Sequence, residues 1–86
     1  MTVVRLRPPL SDLAAKELRL DGATVAEVLA ALEREHPPIA GWILDEHGNI
    51  RPHVNVFVNK DRGERETPVG PNDRVQVLPA ISGGQV

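Results

Sequence analysis

Charged and apolar residues alternate over Lys16-Glu17-Leu18-Arg19-Leu20. A period of two puts one side of an extended strand on a core and the other in water. Thr2 to Arg7 has the same period, with Val4 and Leu6 on one face and Val3, Arg5 and Arg7 on the other. Pro8-Pro9 stops that strand, because neither residue can donate to a ladder. Asp21-Gly22 ends the second strand, and the pair predicts an antiparallel hairpin.

The period then changes. Val25, Val28, Leu29 and Leu32 recur at i, i+3, i+4 and i+7, one apolar stripe on a helix. Thr24 and Glu27 form the Thr-x-x-Glu pattern of a capping box. Glu33, Arg34 and Glu35 fall toward the solvated end, and Pro37-Pro38 terminates the element. Ile39 to Leu44, with Trp42 as a lid on the core, reads as a short helical turn, and Asp45 to Asn49 as a loop. Val54 to Asn59 is the strongest strand pattern. A charged turn over Lys60 to Arg65, centred on Gly63, follows it, then a short extended piece around Thr67 to Val69. Gly70-Pro71-Asn72-Asp73 is a dense turn signal. Arg74 to Leu78 is the last strand, with Val75 and Val77 inward, and Pro79-Ala80 ends it.

The order is strand, strand, helix, then two or three strands. The economical solution is α+β: a mixed four- to five-stranded sheet packed on one main helix, with the first and last strands parallel at its centre. That is the β-grasp, or ubiquitin-like, arrangement. Residues 1–80 make one domain, and 81–86 are expected to protrude as a flexible tail.

Composition narrows the chemistry. The chain of 86 residues has one Phe, one Trp and no Tyr, so its core is aliphatic and it lacks the stacking platforms of single-strand nucleic-acid binders. A net charge of -2 implies no broad basic field for nucleic acid or an anionic membrane. The absence of cysteine excludes a disulfide framework, a thiolate metal site and a cysteine nucleophile. His36, His47 and His53 match no ligand spacing, so no metal is expected. No leader or membrane span is legible at the N-terminus or elsewhere, and a soluble cytoplasmic protein is the expectation.

The ending Arg74-Val75-Gln76-Val77-Leu78-Pro79-Ala80-Ile81-Ser82-Gly83-Gly84 resembles that of the MoaD/ThiS-type ubiquitin-like sulfur-carrier family. His53-Val54-Asn55-Val56-Phe57-Val58-Asn59 is similar to the family's central strand. Within the family, the strand and the ending look most like CysO-type carriers. Two departures stand out. Asn72-Asp73 replaces the family's frequent Gly-Asp, a mild change because Asn tolerates the left-handed conformation. Gln85-Val86 follows the glycines, and the resemblance implies that a JAMM-type metalloprotease cuts between Gly84 and Gln85.

The resemblance also implies the chemistry. Gly84 is adenylated by a ubiquitin-activating-type adenylyltransferase, which uses ATP, and becomes a thiocarboxylate. The sulfur then passes to a synthase of the cysteine synthase, thiazole synthase or molybdopterin synthase type. The chain itself is a protein cosubstrate with no bound cofactor, not an enzyme. Ile81, Ser82 and Gly83 are the tail that partners recognise, and glycines suit a narrow cleft because they lack a Cβ. Arg5, Arg7 and Arg74 are expected to form a basic rim near the tail exit. Phe57 alternates with Val56 and Val58, which leaves it either on the outer sheet face as part of a partner surface or buried. Two other readings of the chain stay open: a ubiquitin-like modifier conjugated through Gly84, and a β-grasp interaction module without tail chemistry.

Overall fold

The computed structural model describes residues 1–8 and 10–79. Five strands form one sheet: β1 (Thr2–Leu6), β2 (Glu17–Leu20), β3 (Val54–Val58), β4 (Asp61–Arg62) and β5 (Arg74–Pro79). Their order is β2-β1-β5-β3-β4. β1 pairs antiparallel with β2 and parallel with β5, and β5 pairs antiparallel with β3. The parallel pair at the centre requires a crossover, and the main helix α2 (Val25–Glu35) supplies it.

Period two orients the four longer strands as the sequence predicts. Thr2, Val4 and Leu6 face inward from β1, Val54, Val56 and Val58 from β3, and Val75 and Val77 from β5. Opposite them, α2 buries Val25, Val28, Leu29, Ala31 and Leu32. Leu29 and Leu32 are fully buried, and each stabilises the fold by about 1.5–3 kcal/mol relative to an exposed side chain.

Local chemistry sets the ends of α2. The Thr24 hydroxyl accepts the Glu27 N–H at 3.3 Å, while Glu27 Oε1 accepts the N–H of Ala23 at 2.8 Å. The box therefore closes one residue further back than the Thr-x-x-Glu pattern implies. The helix starts against the segment before β5: Val25 N–H donates to the Thr67 carbonyl and Val69 N–H to the Ala23 carbonyl. The extended piece around Thr67 to Val69 thus makes a single bridge, between Thr24 and Pro68, and no full strand.

Several sequence expectations need correction. A short helix, α1 (Leu10–Leu13), lies between β1 and β2 and anchors Leu10 in the core. Lys16 lies outside β2. The helical turn expected over Ile39 to Leu44 forms earlier, as a 3-10 helix at Pro37–Ile39, because proline suits a first helical position. Trp42 is no lid: it is 44% exposed, and Ile39, Ile43 and Leu44 seal that end instead. Glu33 is half-buried, and its carboxylate accepts from the backbone of Ile43 and Leu44. The turn after β3 is centred on Asn59-Lys60, not on Gly63. Asn59 takes φ 58°, and Gly63 is buried with its N–H on the Val56 carbonyl. A Cβ on Gly63 would come within 2.9 Å of a Val58 methyl. Among the described residues Asn59 is the only non-glycine with positive φ, so Asn72 does not use the left-handed conformation.

Candidate functional site

The register fixes which end of the sheet delivers the chain to its C-terminal segment. β5 runs parallel to β1, with Val3 opposite Arg74 and Leu6 opposite Val77. Pro79, the last residue of β5, therefore lies at the end where β1 gives way to Arg7 and Pro8. Val54, which starts β3, faces Pro79 from the other side. Lys16 joins this end, because its carbonyl accepts the Leu6 N–H at 2.9 Å.

A groove of about 360 Å³ opens there, walled by Arg5, Arg7, Lys16, Asp12, Gln76 and Leu78. Arg5 Nε stands 3.4 Å from Glu17 Oε1 across the β1–β2 pair, with both side chains about half exposed. Arg5 and Arg7, two of the three arginines expected near the tail exit, both line this groove.

Arg74 is not at the exit. It begins β5, five residues before Pro79, and at about 3.3 Å per residue that is roughly 17 Å away. There it sits by a different cluster: Asn59 Oδ1 accepts the Arg74 N–H at 3.0 Å, while Asn59 Nδ2 donates to Asp73 Oδ1. The hydrogen bond from Asn59, then that from the Gly70 N–H, lowers the Asp73 pKa below its ordinary 3.8. This cluster fastens the β3 turn to the start of β5. Lys16 takes the place assigned to Arg74. The strand pattern had absorbed Lys16 into β2, so only the β1–β2 register reveals it.

Residues opposite each other in register share a face. The face turned away from α2 therefore carries Arg5 beside Gln76, Gln76 beside Phe57, and Phe57 beside Arg62. A second row holds Arg19, Val3 and Arg74. Phe57, Val3 and Leu78 are half-buried on this face, so of the two places open to Phe57 the structure selects the outer one. Four arginines (Arg5, Arg19, Arg62 and Arg74) surround these apolar residues, against one acid, Glu17. Arg19 and Arg62 escaped the sequence reading, although the strict alternation of β2 already put Arg19 on the side of Glu17.

Ile81, Ser82, Gly83, Gly84 and Gln85, and the boundary between residues 80 and 81, lie outside the described residues. Among the described residues no three His, Asp or Glu side chains gather as a metal site, and no helix is long and apolar enough to cross a membrane.

A mixed sheet in this order, crossed by one helix, invites comparison with known proteins. The sequence profile of the ThiS family matches residues 5–84, which is almost the whole chain. The chain belongs to the ThiS family. Among relatives, small archaeal modifier protein 3 of Haloferax volcanii is 37% identical over 68 residues, covering 74% of this chain and 73% of that protein. The crystal structure of SAMP1 from Haloferax volcanii superposes with a TM-score of 0.86 at 26% identity, covering 96% of this chain and 98% of the other. In the crystal structure of the Amycolatopsis orientalis BexX/CysO complex, the matching chain has a TM-score of 0.84 at 28% identity, covering 98% of this chain and 100% of its own. The fold is thus the ubiquitin-like β-grasp. As a ThiS family member the chain is a carrier or modifier protein rather than an enzyme. The family match runs through Gly83-Gly84 and leaves out Gln85 and Val86.

Proposed function

We propose that this ThiS family protein is a sulfur carrier whose working atom is the carboxyl carbon of Gly84, exposed once Gln85-Val86 is removed. The observation that carries the reading is the family match ending at Gly84, five residues after the central strand β5 ends at Pro79. A JAMM-type metalloprotease hydrolyses the Gly84–Gln85 bond. A ubiquitin-activating-type enzyme then lets the Gly84 carboxylate oxygen attack the α-phosphorus of ATP, releasing pyrophosphate. Sulfide or a persulfide sulfur attacks the acyl carbon and AMP leaves. Where a persulfide is the donor, a thiol then reduces the acyl disulfide, and the thiocarboxylate remains. A biosynthetic enzyme of the cysteine synthase type, or a thiazole or molybdopterin synthase, accepts the sulfur.

The described residues support this reading through geometry. Pro79 to Gly84 is five residues, at most about 18 Å when extended. A partner that accepts the tail must therefore approach the exit end of the sheet closely. Arg5, Arg7 and Lys16 at that end, with Phe57 and Leu78 on the adjoining face, give it a basic surface with an apolar centre.

A second reading has its own support. The relative of 37% identity is named as a modifier, so conjugation through Gly84 to a lysine is the alternative fate of the same acyl-adenylate. One experiment separates the two. The chain ending at Gly84 is incubated with its cognate activating enzyme, ATP and sulfide, and its intact mass is recorded. The expected product carries one sulfur in place of one oxygen. With acceptor proteins added, adducts without that product would move the assignment to a modifier, and the absence of both thiocarboxylate and adducts in the presence of active enzyme would overturn both.

A further inference from the structure

A second basic site lies on the edge of the sheet beyond β3. β4 covers only the last two residues of β3, with Phe57 opposite Arg62 and Val58 opposite Asp61. One further bond, from the Gly63 N–H to the Val56 carbonyl at 2.8 Å, completes the hairpin. Successive residues of an antiparallel strand direct their backbone groups to opposite neighbours. Asn59 N–H donates to the Arg74 carbonyl, so Asn55 and Phe57 face β5 while Val54 and Val56 face the outer edge. The Val54 N–H donates to the Arg51 carbonyl at 2.9 Å. That leaves the Val56 N–H and the Val54 carbonyl on a stretch that, among the described residues, no strand covers. They lie at the floor of a groove, where Val54 and Val56 are 3% and 2% exposed.

A groove of about 350 Å³ runs beside this stretch. Arg51, Arg62 and Arg65 wall it together with Ile50, Pro52 and Glu64. Arg51 Nε donates to the Gly41 carbonyl at 2.6 Å, and Arg65 donates to Asn49 Oδ1, which ties the two walls together. Neither bond neutralises a charge. The ion pairs among the described residues are Arg5–Glu17 and His47–Glu46, so the three guanidinium groups here have no carboxylate at salt-bridge distance. The same holds for every described lysine and arginine except Arg5, so what sets this place apart is that three guanidinium groups wall one groove.

An uncovered strand edge offers main-chain hydrogen bonds to any extended segment, and natural sheets usually blunt such edges. Three unpaired guanidinium groups beside it select for carboxylates. We propose that the Val54–Val56 edge, with Arg51, Arg62 and Arg65, docks an extended acidic segment of a partner protein, which pairs with β3 in line with β4. The site needs only β3 and these arginines, so it goes beyond the tail chemistry. Its position is still useful to that chemistry: Val54 faces Pro79 across the β3–β5 pair, and the groove lies about 10 Å, or two strand spacings, from the end of β5. A partner held there keeps the C-terminal segment within reach.

The test is a titration of the full chain, labelled with ¹⁵N, with an N-acetylated peptide of alternating Val and Glu. Saturable shifts are expected at the amides of Val54, Val56, Gly63 and Glu64, weakening as salt is raised. The double substitution R62E/R65E is expected to weaken binding about tenfold or more. The same peptide with alternate backbone nitrogens methylated keeps its charge but loses its donors. It is expected to bind equally poorly to the unaltered chain, which makes the test independent of how the variant folds. Four results would overturn the proposal: no saturable shift, equal binding of a Val–Lys peptide, shifts centred on Phe57 and Arg5 instead, or the same shifts produced by inorganic phosphate alone.

Discussion

Glu33 occupies a helix position that pattern alone assigns to solvent, yet its Oε2 accepts the N–H groups of Ile43 and Leu44, each at 2.9 Å. Both residues are buried, so those N–H groups have little access to water as an alternative acceptor. Glu33→Ala should therefore destabilise the fold by about 1–3 kcal/mol, the cost of leaving buried donors unsatisfied. Glu33→Gln retains an acceptor oxygen and should recover most of that loss. Urea unfolding of the two variants checks this, and equal midpoints for both would contradict it. Phe57 and Arg74 were legible only in part at this scale. Alternation told which residues oppose the core, but the distance from Arg74 to the end of its own strand decided that it cannot serve the tail exit.

At the scale of elements, the strong signals were those with many repeats. The stripe of α2 and the alternation of β1, β2, β3 and β5 were read directly, because each spans enough residues for its period to show. α1 has four residues and β4 has two, too few for either period, and both went unread. Packing between elements also makes demands that local pattern hides. Gly22 follows β2, and a Cβ placed there would sit 2.7 Å from a Val28 methyl and 2.8 Å from the Val28 backbone nitrogen. The chain leaving β2 thus passes directly over the first turn of α2. Gly22→Ala should force that turn away and cost about 1–3 kcal/mol by overpacking. Thermal unfolding followed by circular dichroism measures it, and an unchanged midpoint would show that the helix shifts freely.

Across the whole molecule, one aliphatic core joins α2 to all the long strands, and Leu29 lies fully buried within it. A chain this small, with a single core, should unfold in one step. Trp42, the lone tryptophan, sits on the surface turn after the 3-10 helix, while α2 and the sheet dominate the circular dichroism. The two signals should give coincident denaturant transitions. Leu29→Ala should move both together, by about 2–5 kcal/mol. Separate midpoints would show that the 37–53 segment opens independently of the sheet.

The sequence by itself determined the order of the four long strands and the main helix, the inward set of each long strand, the helix cap, and the family likeness of its last strand and diglycine. These are properties of residues near each other along the chain, where steric preference and period act. Only the tertiary structure decided where charges meet. The parallel register of β1 and β5 put Arg5, Arg7 and Lys16 at the exit and Arg74 at the far end, and the shortness of β4 left part of the β3 edge open between arginines. The first depends on contacts between residues distant in sequence and the second on a strand of two residues, and no local period encodes either.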